Sequence, residues 1–425
     1  MNTLPMNTLP MNTRPMNTPP IHDTLPGGAP GTAVPPTAAP RLYSPAQRGF
    51  SIVELMVAVV VGLLAVMFAT RLMVNGEQSK AASVGGSDAM QNGMLALFSI
   101  NTDASQAGWG LNDDLVNGCN TRMTDTQGFT LATATRDGAV IRPLAPAVIG
   151  NGGTGSDTLT LYSGSGLAGV GSTQVWQNYM GGTTIGVANV APFGFSAGDV
   201  IVVAPEPAGA DCALAQLSAP PAASVLQIAA GAASRFNTGN LGVLYNGGQA
   251  RVFNLGPAGK LSFHTWSVTD GVLQLRATDL AGTGAQPQAV VGNVVALKAQ
   301  YGFDTRTGTA FIPKAGMQVG RWSSAMIDAD GDGSTGAAGD WQRIAALRIA
   351  IVARGAIPER PAAGQATCTA TTAPLTLFST AVPAGVTASS VQVALAVPND
   401  TVSWTCYRYR VFETIVPIRN AGWRP

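Results

Sequence analysis

Three groups of side chains in this sequence could do chemistry. The first is a lone acid, Glu54, near the start of the apolar run Ile52–Val74, in which the next charge is Arg71. A carboxylate inside a membrane-spanning helix costs about 2.5–3.5 kcal/mol to insert, and such residues are functional by default. Cutting the chain after Gly49 would give Phe50 a free α-amino group one helical turn before Glu54. That amine could neutralise the carboxylate of its own chain or of a neighbour packed alongside. The second group is Asp328, Asp330 and Asp332, at alternate positions ahead of Gly333, with Asp340 further on. This spacing fits the first half of an EF-hand calcium loop. The twelfth position is Gly339 rather than Glu, and Asp340 falls one residue late. Two readings follow: a Ca2+ loop of variant geometry, or an acidic, glycine-rich loop between strands. The third group is Cys119, Cys212, Cys368 and Cys406, with no Cys-x-x-Cys and no histidine nearby. Zinc needs clustered ligands, so an even cysteine count fits two disulfides in an oxidising compartment. Three connectivities exist. Pairing neighbours in chain order gives Cys119–Cys212 and Cys368–Cys406.

An enzyme needs a base, a nucleophile or a metal within reach. Past residue 49 the one histidine is His264, beside Trp266, and its setting reads as packing. There is no Gly-x-Ser-x-Gly, Walker loop or His-Glu-x-x-His, so no catalytic role is expected. Arg408, Arg410, Arg419 and Arg424 lie near Trp404, Tyr407, Tyr409 and Trp423, a mixture that can bind single-stranded nucleic acid. The net charge of +1 gives no general attraction to a polyanion, and these residues read instead as faces of a terminal strand.

The elements that position these groups follow from composition and periodicity. Charged residues make up only 11% of 425, and Gly (51) and Pro (28) are plentiful. A soluble domain usually carries about 25% charge, so this composition favours a β-rich, loop-rich exported domain. Residues 1–20 repeat a five-residue unit ending in proline, which forbids a helix; residues 1–49 read as a disordered leader. Residues 50–74 just reach the roughly 20 apolar residues that span a bilayer. Residues 75–110 continue as an amphipathic helix, with Met90, Met94, Leu97, Ile100, Ala104 and Ala107 on the apolar side. Gly85, Gly86 and Gly93 read as bend points. Residues 111–425 shift to period two. Strands are expected at 139–144, 157–162, 199–204, 224–229, 241–245, 250–255, 260–268, 271–277, 289–303, 341–354 and 401–418. Asn246-Gly247 and Asp270-Gly271 mark hairpins. Segments 164–198 and 360–390 read as long loops.

Gly49-Phe50-Ser51-Ile52-Val53-Glu54-Leu55, followed by an apolar span, resembles the signal of type IV pilins and type II secretion pseudopilins. The resemblance implies cutting after Gly49 by prepilin peptidase, N-methylation of Phe50, and entry into a helical fibre through the first helix. The leader is longer than those of typical pilins. Gln91-Asn92-Gly93, Asp103 and Ala107–Gly110 look like the helix end of PilW-type minor pilins. Segments Val294–Asp304, Leu347–Arg354 and Tyr409–Asn420 extend that likeness to the middle and end of the chain. PilW-type proteins are themselves similar to the GspJ-type pseudopilins.

The resulting expectation is an α+β, lollipop-shaped minor pilin: a long N-terminal helix followed by a large antiparallel β-rich domain. Its work would be to prime type IV pilus assembly with other minor pilins, supporting twitching and adhesion. Expected partners are those pilins, the major pilin, prepilin peptidase, the inner membrane and the pilus assembly platform. No cofactor is expected apart from Ca2+ in the acidic-loop reading. The chain would sit in the bacterial inner membrane with its C-terminal domain in the periplasm, and later in a surface fibre. Alternatives are a pseudopilin of type II secretion and a membrane-tethered, calcium-dependent adhesin.

Overall fold

The computed structural model describes residues 49–165, 172–189, 193–206, 210–231, 234–236, 239–362 and 364–422. The leader, except Gly49, lies outside the described residues. The chain divides into two units, Met1–Val66 and Met67–Pro425. The described part of the first is the start of helix α1, which runs from Ile52 to Gln106 without a break. Ile52–Val74 is long and apolar enough to cross a membrane, and its side chains are exposed.

In the second unit, α1 packs on the β-domain through its smallest residues. Gly85, Ala89, Gly93, Ala96, Ile100, Ala104 and Ala107 form the buried stripe. Met90 and Met94, expected on that side, are 46% and 54% exposed. The sheet comes too close for a long side chain. A Cβ on Gly93 would lie 2.0 Å from the Phe412 ring, and one on Gly355 would lie 3.1 Å from the Gly85 carbonyl. Gly85 and Gly93 are therefore contact points, and the helix runs through them and Gly86 without a break. The helix ends at Gly108, whose φ of +82° suits the left-handed position past a helix end. Asn420 Nδ2 donates to the Gln106 and Ala107 carbonyls, at 3.1 Å each.

Gly93→Ala and Gly86→Ala should therefore shift stability in opposite directions. Alanine is favoured over glycine in a helix by about 1 kcal/mol. Gly86 has open space, so Gly86→Ala should stabilise by about 0.5–1 kcal/mol. Gly93→Ala drives a methyl into the Phe412 ring and should destabilise by about 1–3 kcal/mol. Thermal melting of the two variants checks the sign.

The domain holds three main sheets. A four-stranded antiparallel sheet has the order Arg321–Ser323, Val294–Phe303, Ile344–Arg354, Tyr409–Pro417. A five-stranded antiparallel sheet has the order Gln288–Gly292, Val272–Ala277, Ser262–Thr269, Thr158–Ser163, Ala147–Gly150. The third has six strands: Pro143–Leu144, Cys119–Arg122, Cys212–Gln216, Asp199–Pro205, Ala250–Pro257, Ser172–Gln174. Among the described strands, Cys119–Arg122 and Cys212–Gln216 run parallel.

Strands buried on both faces read as continuous apolar runs, as a two-sided position requires. In Asp199–Pro205, Val200, Val202 and Ala204 enter the main core, while Ile201 and Val203 enter a second core over residues 175–252. In Val294–Phe303, Leu297, Ala299, Tyr301 and Phe303 join the main core with the helix stripe. The opposite face of that sheet is covered by Leu377, Phe378, Val393 and Leu395.

Several strand expectations need correction: 139–144 divides into Ala139–Ile141 and Pro143–Leu144 in different sheets, and 401–418 is strand only from Tyr409. Residues 289–303 split at Asn293, whose φ is +59°, into two strands belonging to different sheets. Residues 241–245 form no strand; Tyr245 makes one isolated bridge to Tyr179. Asn246-Gly247 therefore closes no hairpin, because Ala250–Pro257 pairs with Asp199–Pro205 and Ser172–Gln174 instead. The segments read as loops contain Ser172–Gln174, Thr184–Gly186 and Leu375–Leu377. Asp270-Gly271 does turn a hairpin, both residues having positive φ as a type I′ turn demands.

Candidate functional site

The Gly49–Glu54 segment lies at the head of α1. Gly49 and Phe50 precede the helix, and Glu54 lies in its first turn. All three are exposed, Phe50 at 82%. Among the described residues Glu54 has no ion-pair partner in its own chain. Its apolar neighbours are equally uncovered, from Ile52 at 80% to Val74 at 56%. This segment is shaped to be buried by something other than its own fold.

At the far end of the helix, Asp103 docks onto the five-stranded sheet. His264 Nδ1 lies 2.7 Å from Asp103 Oδ2, and His264 Nε2 lies 2.7 Å from Asp279 Oδ1. Trp266 Nε1 donates to the same Asp103 oxygen at 2.8 Å, and Ser262 Oγ donates to Asp279 Oδ2 at 2.8 Å. A carboxylate on each ring nitrogen leaves no acceptor role for either, so the ring is an imidazolium. Burial opposes that charge, but hydrogen bonds to Asp103 and Asp279 outweigh it and raise the His264 pKa from 6.5 to about 9. His264 is thus packed, as its sequence setting implies, but it is also the ion that ties helix to sheet. Because the folded pKa lies above the unfolded value, the stabilisation is complete below pH 6.5 and is lost as pH rises through about 9. Its size is on the order of 2–3 kcal/mol. Melting between pH 6 and 10 should show this slope, and His264→Gln should remove most of it.

The acidic loop brings three of its four carboxylates together. Ligand atoms of Asp328, Asp330 and Asp332 lie within 4.8 Å of one another. They also cap the loop's own amides: Asp328 accepts from Gly331 and Gly333, Asp330 from Asp332, and Asp332 from Ser334. Asp340 is not the fourth member. It is buried, and its two oxygens accept from the Ala329 and Gly336 amides. Burial raises its pKa to about 6 against those hydrogen bonds. At the twelfth position, Gly339 lies against Asp330, and a Cβ there would lie 1.8 Å from Asp330 Oδ2.

The cysteines form two bonds, Cys119–Cys212 and Cys368–Cys406. The first joins the parallel strands of the six-stranded sheet. The second ties the 360–400 segment to the 3-10 turn Trp404–Cys406 ahead of the last strand.

Two family models match parts of the chain. Residues 264–420 match the family model of the type IV pilus-assembly protein W, and residues 44–70 match the prokaryotic N-terminal methylation motif. The chain is a type IV pilin-like protein with a PilW domain. Among solved structures it is similar to a type IV-like pilin from Thermus thermophilus, at 11% identity and a TM-score of 0.27. That match covers 77% of this chain and 94% of the other. No curated protein matches. A methylation motif of this kind implies processing by prepilin peptidase and association with other pilins. Proteins of this family are structural rather than enzymatic.

The PilW region begins at His264 and contains the four-stranded sheet, the acidic loop and the second disulfide. The C-terminal basic and aromatic residues of this pilin are mostly spent on packing. Arg408 pairs with Glu359, Tyr407 is buried 4.1 Å from the Arg354 guanidinium, and Tyr409 Oη donates to the Trp404 carbonyl. Trp423 and Arg424 lie outside the described residues. The roles of Asp103 and Asp279 were not read from the sequence. In the sequence Asp103 stands out through the PilW-like helix end, and nothing local marks it as the partner of a histidine 161 residues away.

Proposed function

We propose that this pilin is a minor subunit that primes type IV pilus assembly. Its leader would be residues 1–49, removed after Gly49 on the cytoplasmic side, with methylation of the new Phe50 amine. Residues 50–74 would anchor it in the inner membrane with residues 111–425 in the periplasm, and would later pack among the first helices of neighbouring subunits. Residues 75–110 hold the β-domain to that anchor. Glu54 would set the register by accepting the N-terminal amine of an adjacent pilin. The observation that carries this reading is the exposed apolar helix with one acid in its first turn, directly behind Gly49-Phe50. Twitching and adhesion would follow from the fibre. Mass spectrometry of the mature N-terminus tests it: methylated Phe50 supports the reading, and an uncut chain refutes it. Loss of surface pili rather than of protein secretion on deletion separates a pilus subunit from a pseudopilin.

The acidic loop supports a second element of the proposal, calcium binding by Asp328, Asp330 and Asp332. Their convergence is the supporting observation. Calcium takes six to eight oxygens, so backbone carbonyls and water would complete the shell. Titration of the full chain with Ca2+ should release heat that Asp330→Asn with Asp332→Asn abolishes. An unchanged titration in that variant would remove the metal from the account.

A further inference from the structure

A cleft of about 610 Å³ lies where the strand Cys119–Arg122 parts from the 139–144 segment. Clefts of about 300–1,000 Å³ are of ligand size. Two arginines line it, Arg122 and Arg142, with one acid, Asp211. Asn120 holds this set in place. Its Nδ2 donates to Asp211 Oδ1 at 2.7 Å, and its Oδ1 accepts the Arg142 backbone N–H at 2.8 Å. The other oxygen of Asp211 accepts from Arg122 Nε at 3.2 Å. Both arginines are therefore referred to one asparagine, one through Asp211 and the other through its own backbone.

The Cys119–Cys212 disulfide lies directly behind this arrangement. Asn120 follows Cys119, and Asp211 precedes Cys212, so the bond fixes the two residues at the base of the cleft. The ion pair engages only Nε of Arg122, and the side chain of Arg142 makes no ion pair among the described residues. The floor is apolar, from Leu131, Leu214 and Leu241, each no more than 4% exposed. Thr124, Thr130 and Asn240 add hydroxyl and amide groups around it.

We infer that this cleft is a binding site for an acidic oligosaccharide, with the carboxylate of a uronic-acid unit held between Arg122 and Arg142. Planar guanidinium groups match a carboxylate in two-bond geometry. The surrounding hydroxyls and amides suit a ligand rich in hydroxyls, and the apolar floor suits a sugar's C–H face. An acidic peptide fits less well. Backbone groups at the strand wall are already engaged, Thr121 N–H with the Arg142 carbonyl and Arg142 N–H with Asn120, so no open ladder greets an extended chain. The inference goes beyond the pilus reading and does not depend on it.

Calorimetric titration of the full-length protein in detergent with trigalacturonate tests it. Saturable binding that weakens as salt rises is expected, with maltotriose inert. Arg142→Gln and Arg122→Gln should each weaken it at least tenfold while leaving the melting temperature unchanged. Three results would overturn the assignment: no saturable binding, equal affinity in both variants, or triglutamate binding as tightly as trigalacturonate.

Discussion

Asp157→Ala should destabilise the β-domain by about 3–5 kcal/mol, the usual cost of breaking a buried ion pair by removing one partner. Lys298 and Asp157 are both fully buried and paired. Lys298 stands in the middle of Val294–Phe303, on the face turned away from the helix stripe. Its ammonium also donates to the Gly153 and Gly155 carbonyls, at 3.0 and 3.2 Å. Asp157 in turn accepts from the Gly152 and Ala299 amides, at 2.8 and 3.0 Å. The 151–157 loop is thus folded around one ammonium group. Without Asp157 the charge stays buried with two neutral acceptors and no counter-ion. Replacing both partners by apolar residues of similar volume removes both charges and is often nearly neutral. Asp157→Leu with Lys298→Met should therefore recover much of the loss. Chemical denaturation of wild type, Asp157→Ala and the double variant measures this. A loss below 1 kcal/mol in Asp157→Ala would contradict the account.

The second large effect concerns assembly rather than folding. Glu54→Ala should insert into the membrane at least as well as wild type, because it removes an acid that costs about 2.5–3.5 kcal/mol to bury there. Its level in sheared fibres should fall at least tenfold. The two outcomes separate because the acid is a cost to insertion and, in the proposed fibre, the acceptor for a neighbour's amine. Membrane fractionation and immunoblotting of sheared pili read both at once. A variant that enters fibres normally would end the proposed role of Glu54.

How much of this was legible in the sequence follows from the range of each interaction. The membrane-length helix depends on a run of apolar residues, and Glu54 stands out because nothing near it is charged. The Gly49-Phe50 step is likewise a local pattern. The Asp270-Gly271 hairpin needs only two residues able to take positive φ. The sequence also favoured Cys119–Cys212 over its alternatives, but only as the simplest pairing of neighbours.

Contacts between distant parts of the chain were of another kind. Gly93 reads as a weak point until Phe412 occupies the space its missing side chain leaves. Lys298 looks like a surface residue in an apolar strand, and only the 151–157 loop makes its burial tolerable. His264 acquires its charge from Asp103 on the helix and Asp279 past the next strand. Asn120 and Asp211 become neighbours only when the strands beside them run parallel. By itself the sequence determined the membrane-length apolar helix, the methylation motif and the β-rich character of the rest, because local composition and periodicity encode them. The tertiary structure decided which small residues are contacts, which charges are buried and where a cleft opens, because each depends on groups that meet only after the chain has folded.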